Sequence, residues 1–326
     1  MRRLLLLLTL ALVSIGASSL LLGEAPLGLH GFAAALADPS SVQGQILWQL
    51  RAPRFLGAAL VGAALGLAGA VMQGLLRNPL ADPGVLGVSG FAGLGAALVI
   101  VLGGAAIPGG VEAAALLGSL LAGVVLTALA ARFPEAEVLI LFGIGLSSFA
   151  GALTALAFNL SPTPFTTAEV LNWMMGSVEN RTWDDLAKAI APMAVGAALC
   201  GYAGRGLLML TLGEETAETS ALPMRRLRIA AIAGAALLTG ASVALAGVIG
   251  FVGIAAPHLV RRTAGENPQR ILLPSALAGA VLIAAADVMA RLVPTDQPLK
   301  LGVIAALVGA PLFGLAAWRA SRSWRG

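Results

Sequence analysis

Long apolar runs, broken at intervals by clusters of proline, glycine and charge, set the pattern of this sequence. At the length of about 20 residues that a bilayer core demands, such runs fall near 4–23, 55–76, 85–107, 111–131, 138–159, 186–204, 229–248, 249–260, 271–290 and 301–318. Ten helical spans are predicted. The run 249–260 is short enough for a half-helix or a re-entrant piece, and the boundary around Ala246–Gly250 is the least marked. Strands of a transmembrane barrel alternate polar and apolar residues, so this pattern excludes one. The expected class is all-α: a polytopic membrane protein forming one transmembrane domain over 1–326, with no soluble domain, linker or internal repeat. Arg2 and Arg3 precede a Leu-rich run longer than the core of a signal peptide, and Gly23-Glu24-Ala25-Pro26 is a poor cleavage site, so an uncleaved first span is expected. Residues 24–50 and 160–185 form the longer outer connections, the second with a short helix expected over Glu169–Val178; residues 211–228 form the long inner one.

Composition agrees. Apolar residues make up 58% of the chain and charged residues 11%, where soluble domains carry roughly 25% charge. Many glycines and few aromatics suit helices that pack through small residues. With the amino end in the cytoplasm, fourteen of the twenty basic residues fall on the inner side, which places both termini inside. The net charge of +4 is then an insertion signal, and nucleic acid has no part in the picture.

Chemistry-bearing residues are sparse. Neither Lys188 nor Lys300 follows a glycine, so there is no Walker-A loop. Cys200 is the single cysteine, and His30 and His258 lie far apart, so no disulfide, metal site or cofactor is expected, and no catalytic group. Asp287 is an ionisable group at span depth, which marks function or pairing. Arg291 lies one helical turn on, and a structural ion pair is the expected reading. The alternative, an ion- or proton-coupled secondary carrier, has only Asp287 and His258 to use; His258 reads first as an interfacial, hydrogen-bonded histidine. Gly62, Gly66 and Gly69 give one smooth helix face. In Arg77-Asn78-Pro79-Leu80-Ala81-Asp82-Pro83-Gly84, two prolines stop the helix while Asn78 and Asp82 can cap freed backbone. That segment narrows a pathway or is a plain turn; the residues alone leave both open.

The stretch LRAPR followed by GAVMQGLLRNPLADPGVLGVSG resembles permease subunits of the FecCD/BtuC family of ATP-binding-cassette importers. The likeness continues through WMMGSV (173–178), LGEETAETSALPMRRLR, GVIGFVGIAAPHLVRR (247–262), AADVMAR (285–291) and LGVIAALVGAPLFG (301–314). The resemblance implies a bacterial inner-membrane homodimer that imports iron–siderophore, haem or cobalamin. Two separate ATPase subunits would power it and a periplasmic substrate-binding protein would supply it. It implies that Arg51, Arg54 and Arg291 dock the binding protein, against a reading of them as interface anchors. It implies a cytoplasmic gate at Asn78 and Leu80. It further implies that Gly213, Glu214, Glu215, Ala217, Leu222 and Pro223 belong to the segment that couples to the ATPase, its acids in the first turn of a helix that Pro223 ends. The stretch Pro298-Leu299-Lys300-Leu301-Gly302 departs from the family pattern, with Lys300 where an acid is common.

Overall fold

The computed structural model describes residues 1–23, 27–133, 135–220, 222–265, 267–293 and 299–323. The chain opens with α1 (Arg2–Leu21), α2 (Leu29–Ala37) and α3 (Val42–Gln45), then a π-helical stretch (Ile46–Arg51) and α4 (Ala52–Leu75). From α3 onward these run as one helix of 34 residues, Val42–Leu75. Next come α5 (Val88–Val101), α6 (Gly110–Arg132), α7 (Ala136–Asn159), α8 (Pro164–Met174), α9 (Trp183–Thr211) and α10 (Glu214–Thr219). The remainder is α11 (Met224–Ala246), α12 (Val252–Ala264), α13 (Pro268–Leu292) and α14 (Leu301–Ser323). No strand occurs among the described residues.

Each of the ten apolar runs holds one helix: α1, α4, α5, α6, α7, α9, α11, α12, α13 and α14. Seven are long and apolar enough to cross a bilayer, while α5 and the Leu301–Pro311 part of α14 are shorter apolar helices. The run 85–107 yields only 14 helical residues, because glycines with left-handed backbone at Gly87 and Gly103 bound α5. The helix expected over Glu169–Val178 is shifted. Thr163 caps α8 by accepting the Thr166 N–H at 3.2 Å, with Pro164 at the first position, and Gly176 at φ 72° follows its end.

Burial separates two rings. In α11 and α4, 78% and 67% of the spanning window is buried, against 11% in α1 and 22% in α7. The outer helices turn Leu6, Leu10 and Val13 of α1 and Leu141 and Phe149 of α7 outward, as a chain solvated by lipid must. The inner helices meet backbone to backbone. A side chain at Gly62 would strike the Gly279 carbonyl of α13, and one at Gly69 would strike the Gly253 carbonyl of α12. Closeness of this kind is how membrane helices gain packing without a water-driven hydrophobic effect.

Between α11 and α12 the backbone leaves the helix over 247–250, with Gly247 at φ 72° and Phe251 at φ 68°. Irregular backbone survives inside a bilayer only where protein satisfies it. Here Ala246 accepts the Ser177 N–H at 2.8 Å, and Gly176 accepts the Leu301 N–H at 3.0 Å. The ends of α8 and α11 and the start of α14 thus meet at one outer junction. On the same side the Trp183 indole of α9 donates to the Trp48 carbonyl in the π stretch at 2.8 Å.

Candidate functional site

At the outer ends of α4 and α13, one carboxylate holds two guanidiniums. Arg54 donates from Nε to both Asp287 oxygens at 2.9 and 3.2 Å, and Arg291 Nη2 lies 2.9 Å from Asp287 Oδ2. The side chains of Arg54, Asp287 and Arg291 are only 18%, 3% and 10% exposed. Arg291 reaches on to the end of α1, donating to the carbonyls of Ser19 and Leu22 and to the Ser19 hydroxyl. Arg51 is buried and donates to the carbonyls of Leu20 and Leu21 at 2.7 and 2.9 Å. Those carbonyls end a helix and have no partner within it, so arginines suit them by charge as well as geometry. The three arginines of the sequence reading therefore converge on one patch. Much of their hydrogen-bonding capacity is engaged inside the chain, and Arg54 is the least enclosed of the three that bear on Asp287 or α1.

The inner end of α4 is built differently. Arg77 adopts φ 48°, and the Asn78 N–H donates back to the Gln73 carbonyl at 3.2 Å, a Schellman closure of the helix. Two Asx-Pro units follow. Asn78 Oδ1 accepts the Leu80 N–H at 2.9 Å, and Asp82 Oδ1 accepts the Gly84 N–H at 2.7 Å. Each proline fixes φ just after its Asx and each Asx side chain replaces a missing backbone acceptor. Asn78 and Leu80 are half-buried. The turn is thus held by neutral, short-range bonds, apart from the Asp82 carboxylate, whose pKa burial raises above the usual range.

The inner segment after α9 enters α10 through Gly213 at φ 106°. Ala217 is fully buried and packs in the same apolar core as Leu210, Met224 and Leu227, so α10 is seated on the ends of the spans. The sequence reading of Pro223 needs correction. The helix ends at Thr219, where Ser220 donates its N–H and hydroxyl to the Ala217 carbonyl at 3.2 and 2.6 Å. Pro223 instead stands at the N-cap of α11 and accepts the Arg226 and Leu227 N–H groups. Leu222 is half-buried beside it. The side chains of Glu214 and Glu215 lie outside the described residues. The turn after α4 and the last residue of α9 share a cavity of about 330 Å³ lined by Gln73, Arg77, Asn78, Pro79, Thr211 and Arg261 among others.

On the outer side a cavity of about 240 Å³ is lined by Trp173, Ser177, Glu179, Arg181 and Lys300 among others. The departure at Lys300 therefore falls on the outer mouth; Pro298 lies outside the described residues. His258 is half-buried within α12, and His30 is exposed on α2. No group of metal-ligating side chains occurs among the described residues.

Sequence reasoning passed over Gln73. Its side-chain amide donates to the Gly253 carbonyl at 3.2 Å and accepts from Arg261 Nη2 at 2.7 Å. The one available signal was an uncharged amide placed inside an apolar, glycine-rich helix, where a polar group needs partners.

The FecCD transport family matches residues 6–319 of the chain. Vitamin B12 import system permease proteins of Salmonella typhi and Salmonella typhimurium are 40% identical to it over 282 residues, covering 86% of this chain and 86% of each relative. The one from Klebsiella pneumoniae subsp. pneumoniae is 39% identical over 276 residues, covering 84% of this chain and 82% of the relative. A solved structure of an ABC transporter assigned to the metal-chelate type, in an inward-facing conformation, superposes with a TM-score of 0.87 at 32% identity, covering 98% of this chain and all of that one.

Proposed function

The chain belongs to the FecCD transport family and is a permease subunit of an ABC importer; from that premise we propose how it works and what it carries. Two copies form the pathway on their common axis in the bacterial inner membrane, with both termini in the cytoplasm. Two ATPase subunits seat on residues 211–228, and a periplasmic binding protein docks where Arg51, Arg54 and Arg291 converge. Arginine forks suit carboxylates on such a partner, and complementary charge speeds its arrival. The permease makes and breaks no covalent bond. Asp287 already has both carboxylate oxygens engaged by two guanidiniums, as a structural ion pair does, which removes the main foothold of a secondary carrier.

The carrying observation is the cavity that Asn78 and Pro79 share with Thr211, the last residue of α9 before the coupling segment. Movement of α10 is passed to the end of α9, on which it is seated, and Thr211 there faces the inner turn across this cavity. Leu80 and Asn78 then form the inner barrier that such movement opens. The cargo is a metal chelate of the vitamin B12 class, the class named for the relatives at 40% identity; iron–siderophore and haem are its competitors in the test.

Proteoliposomes holding the permease, its ATPase and its binding protein should take up labelled vitamin B12 only with ATP. Uptake driven by a proton gradient without the ATPase would overturn the importer mechanism. Preference for an iron–siderophore or haem would change the cargo and leave the mechanism standing. Replacing residues 214–219 by a Gly-Ser stretch should leave ATP hydrolysis running while uptake stops; normal coupling would remove the role given to α10.

A further inference from the structure

Gln73 lies on the last turns of α4, 3% exposed, and three separate bonds converge on it. Its Nε2 donates to the Gly253 carbonyl in the first turn of α12, and its Oε1 accepts from Arg261 in the last turn of α12. Its own carbonyl accepts the Asn78 N–H of the inner turn. One residue thus grips both ends of α12 and the turn that follows α4. A neutral amide on a long side chain suits this, since it offers a donor and an acceptor on one head. A carboxylate keeps the Arg261 bond and loses the one to Gly253; a thioether keeps neither.

The surroundings are shaped to the same end. Gly69, one turn before Gln73, lacks a side chain where the Gly253 backbone approaches, and a side chain at Gly253 would strike the Asp82 carboxylate of the second Asx-Pro unit. The first turn of α12 is therefore packed between α4 and the inner turn. Directly before it runs the non-helical stretch 247–250, whose flanks are tied to α8 and, through Gly176, to α14 at the outer junction. A shift of α12 relative to α4 has to stretch the Gln73 bonds, and a shift of Gln73 draws on Asn78.

We propose that Gln73 is a positioning residue that ties the inner turn to α12, so that the outer junction and the inner turn change state together. The proposal rests on the reading of Asn78–Leu80 as the inner gate and of the complex as an ATP-driven importer.

The test uses the full complex in proteoliposomes, with fluorescein trapped inside as a cargo-independent probe of leak. Gln73→Met, which preserves volume and deletes both side-chain bonds, should raise ATP-free leak roughly tenfold. It should also make ATP hydrolysis indifferent to the binding protein, with complex yield unchanged. Gln73→Glu should fall between this variant and wild type. A residue that merely fills space would leave both readouts at wild-type values in Gln73→Met, and that result overturns the proposal. Should Gln73→Met fail to assemble, Gln73→Glu decides: leak above wild type at normal yield supports the role, and wild-type leak removes it. Leu80→Gly separates the underlying readings. If it leaks while Gln73→Met stays tight, the gate stands and Gln73 has no part in it. If Leu80→Gly stays tight, the gate reading falls and the proposal with it. A wild-type complex without ATP-driven uptake would remove the importer reading itself.

Discussion

The two ends of α4 are fastened by opposite means. Outside, Arg54, Asp287 and Arg291 form a nearly enclosed ionic cluster reaching α13 and the end of α1. Inside, Asn78, Asp82 and Gln73 hold the chain with hydrogen bonds to backbone groups, and Gln73 with one more from Arg261, with no ion pair among them. Buried ion pairs are costly to separate, because either partner left alone is a desolvated charge. A neutral hydrogen bond exchanged for another costs little net free energy. The outer end is therefore the more firmly fixed of the two. The inner end can break and remake its contacts within the energy of an ATP-driven cycle.

The contrast can be broken most severely at Asp287. Asp287→Ala leaves two enclosed guanidiniums without their carboxylate and should destabilise the fold by about 3–5 kcal/mol, read as a lowered unfolding midpoint of the purified complex. A loss below about 1 kcal/mol would mean that the cluster behaves as a solvated surface pair. The double variant Arg54→Glu with Asp287→Arg should recover most of that loss by restoring one pair. Binding-protein docking should remain weak in it, measured by association rate against salt, because the outward-facing charge is reversed. Normal docking in the swap would leave Arg54 as a purely internal fastening.

Smaller effects are expected at the inner turn. Asn78→Ala deletes one Asx bond and should cost roughly 0.5–1.5 kcal/mol in unfolding free energy while raising passive leak. A loss as large as that of Asp287→Ala would erase the distinction between the two ends. The smallest effect is expected at Asp82, in the connection between α4 and α5. Burial raises its pKa in the fold, so its ionised form weakens the fold above that value, and the penalty fades as pH falls through it. Asp82→Asn keeps the acceptor for the Gly84 N–H. It should equal or exceed wild-type stability at alkaline pH, with the gap closing as pH falls toward the ordinary carboxylate range. A variant less stable at both ends of that range would show that the carboxylate is required by a partner.

How much of this was legible in the sequence follows from the range of each interaction. Hydropathy is local, so a helix in each of the ten apolar runs was readable, seven of them long enough to span, as were the Asx-Pro stop after α4 and the Asp287–Arg291 pair four residues apart. The π stretch at Ile46–Arg51 was not, because its extra residue per turn leaves no compositional mark. The Pro223 reading failed for a related reason: a proline that cannot continue one helix is equally suited to open the next. Arg54 meets Asp287 across 233 positions, and Gln73 meets Gly253 and Arg261 across 180 and 188. No periodicity in one sequence records such partners. The glycines at 62, 66 and 69 announced a close approach without saying which backbone would fill it.

The continuous helix Val42–Leu75 has 34 residues, a length of ~50 Å against a hydrocarbon slab of ~30 Å. With its Arg51 end fastened to α1 and its Gln73 end held by hydrogen bonds to α12, such a rod is a lever pinned at one end. A lean of ~10° about the pinned end would carry the far tip through ~9 Å.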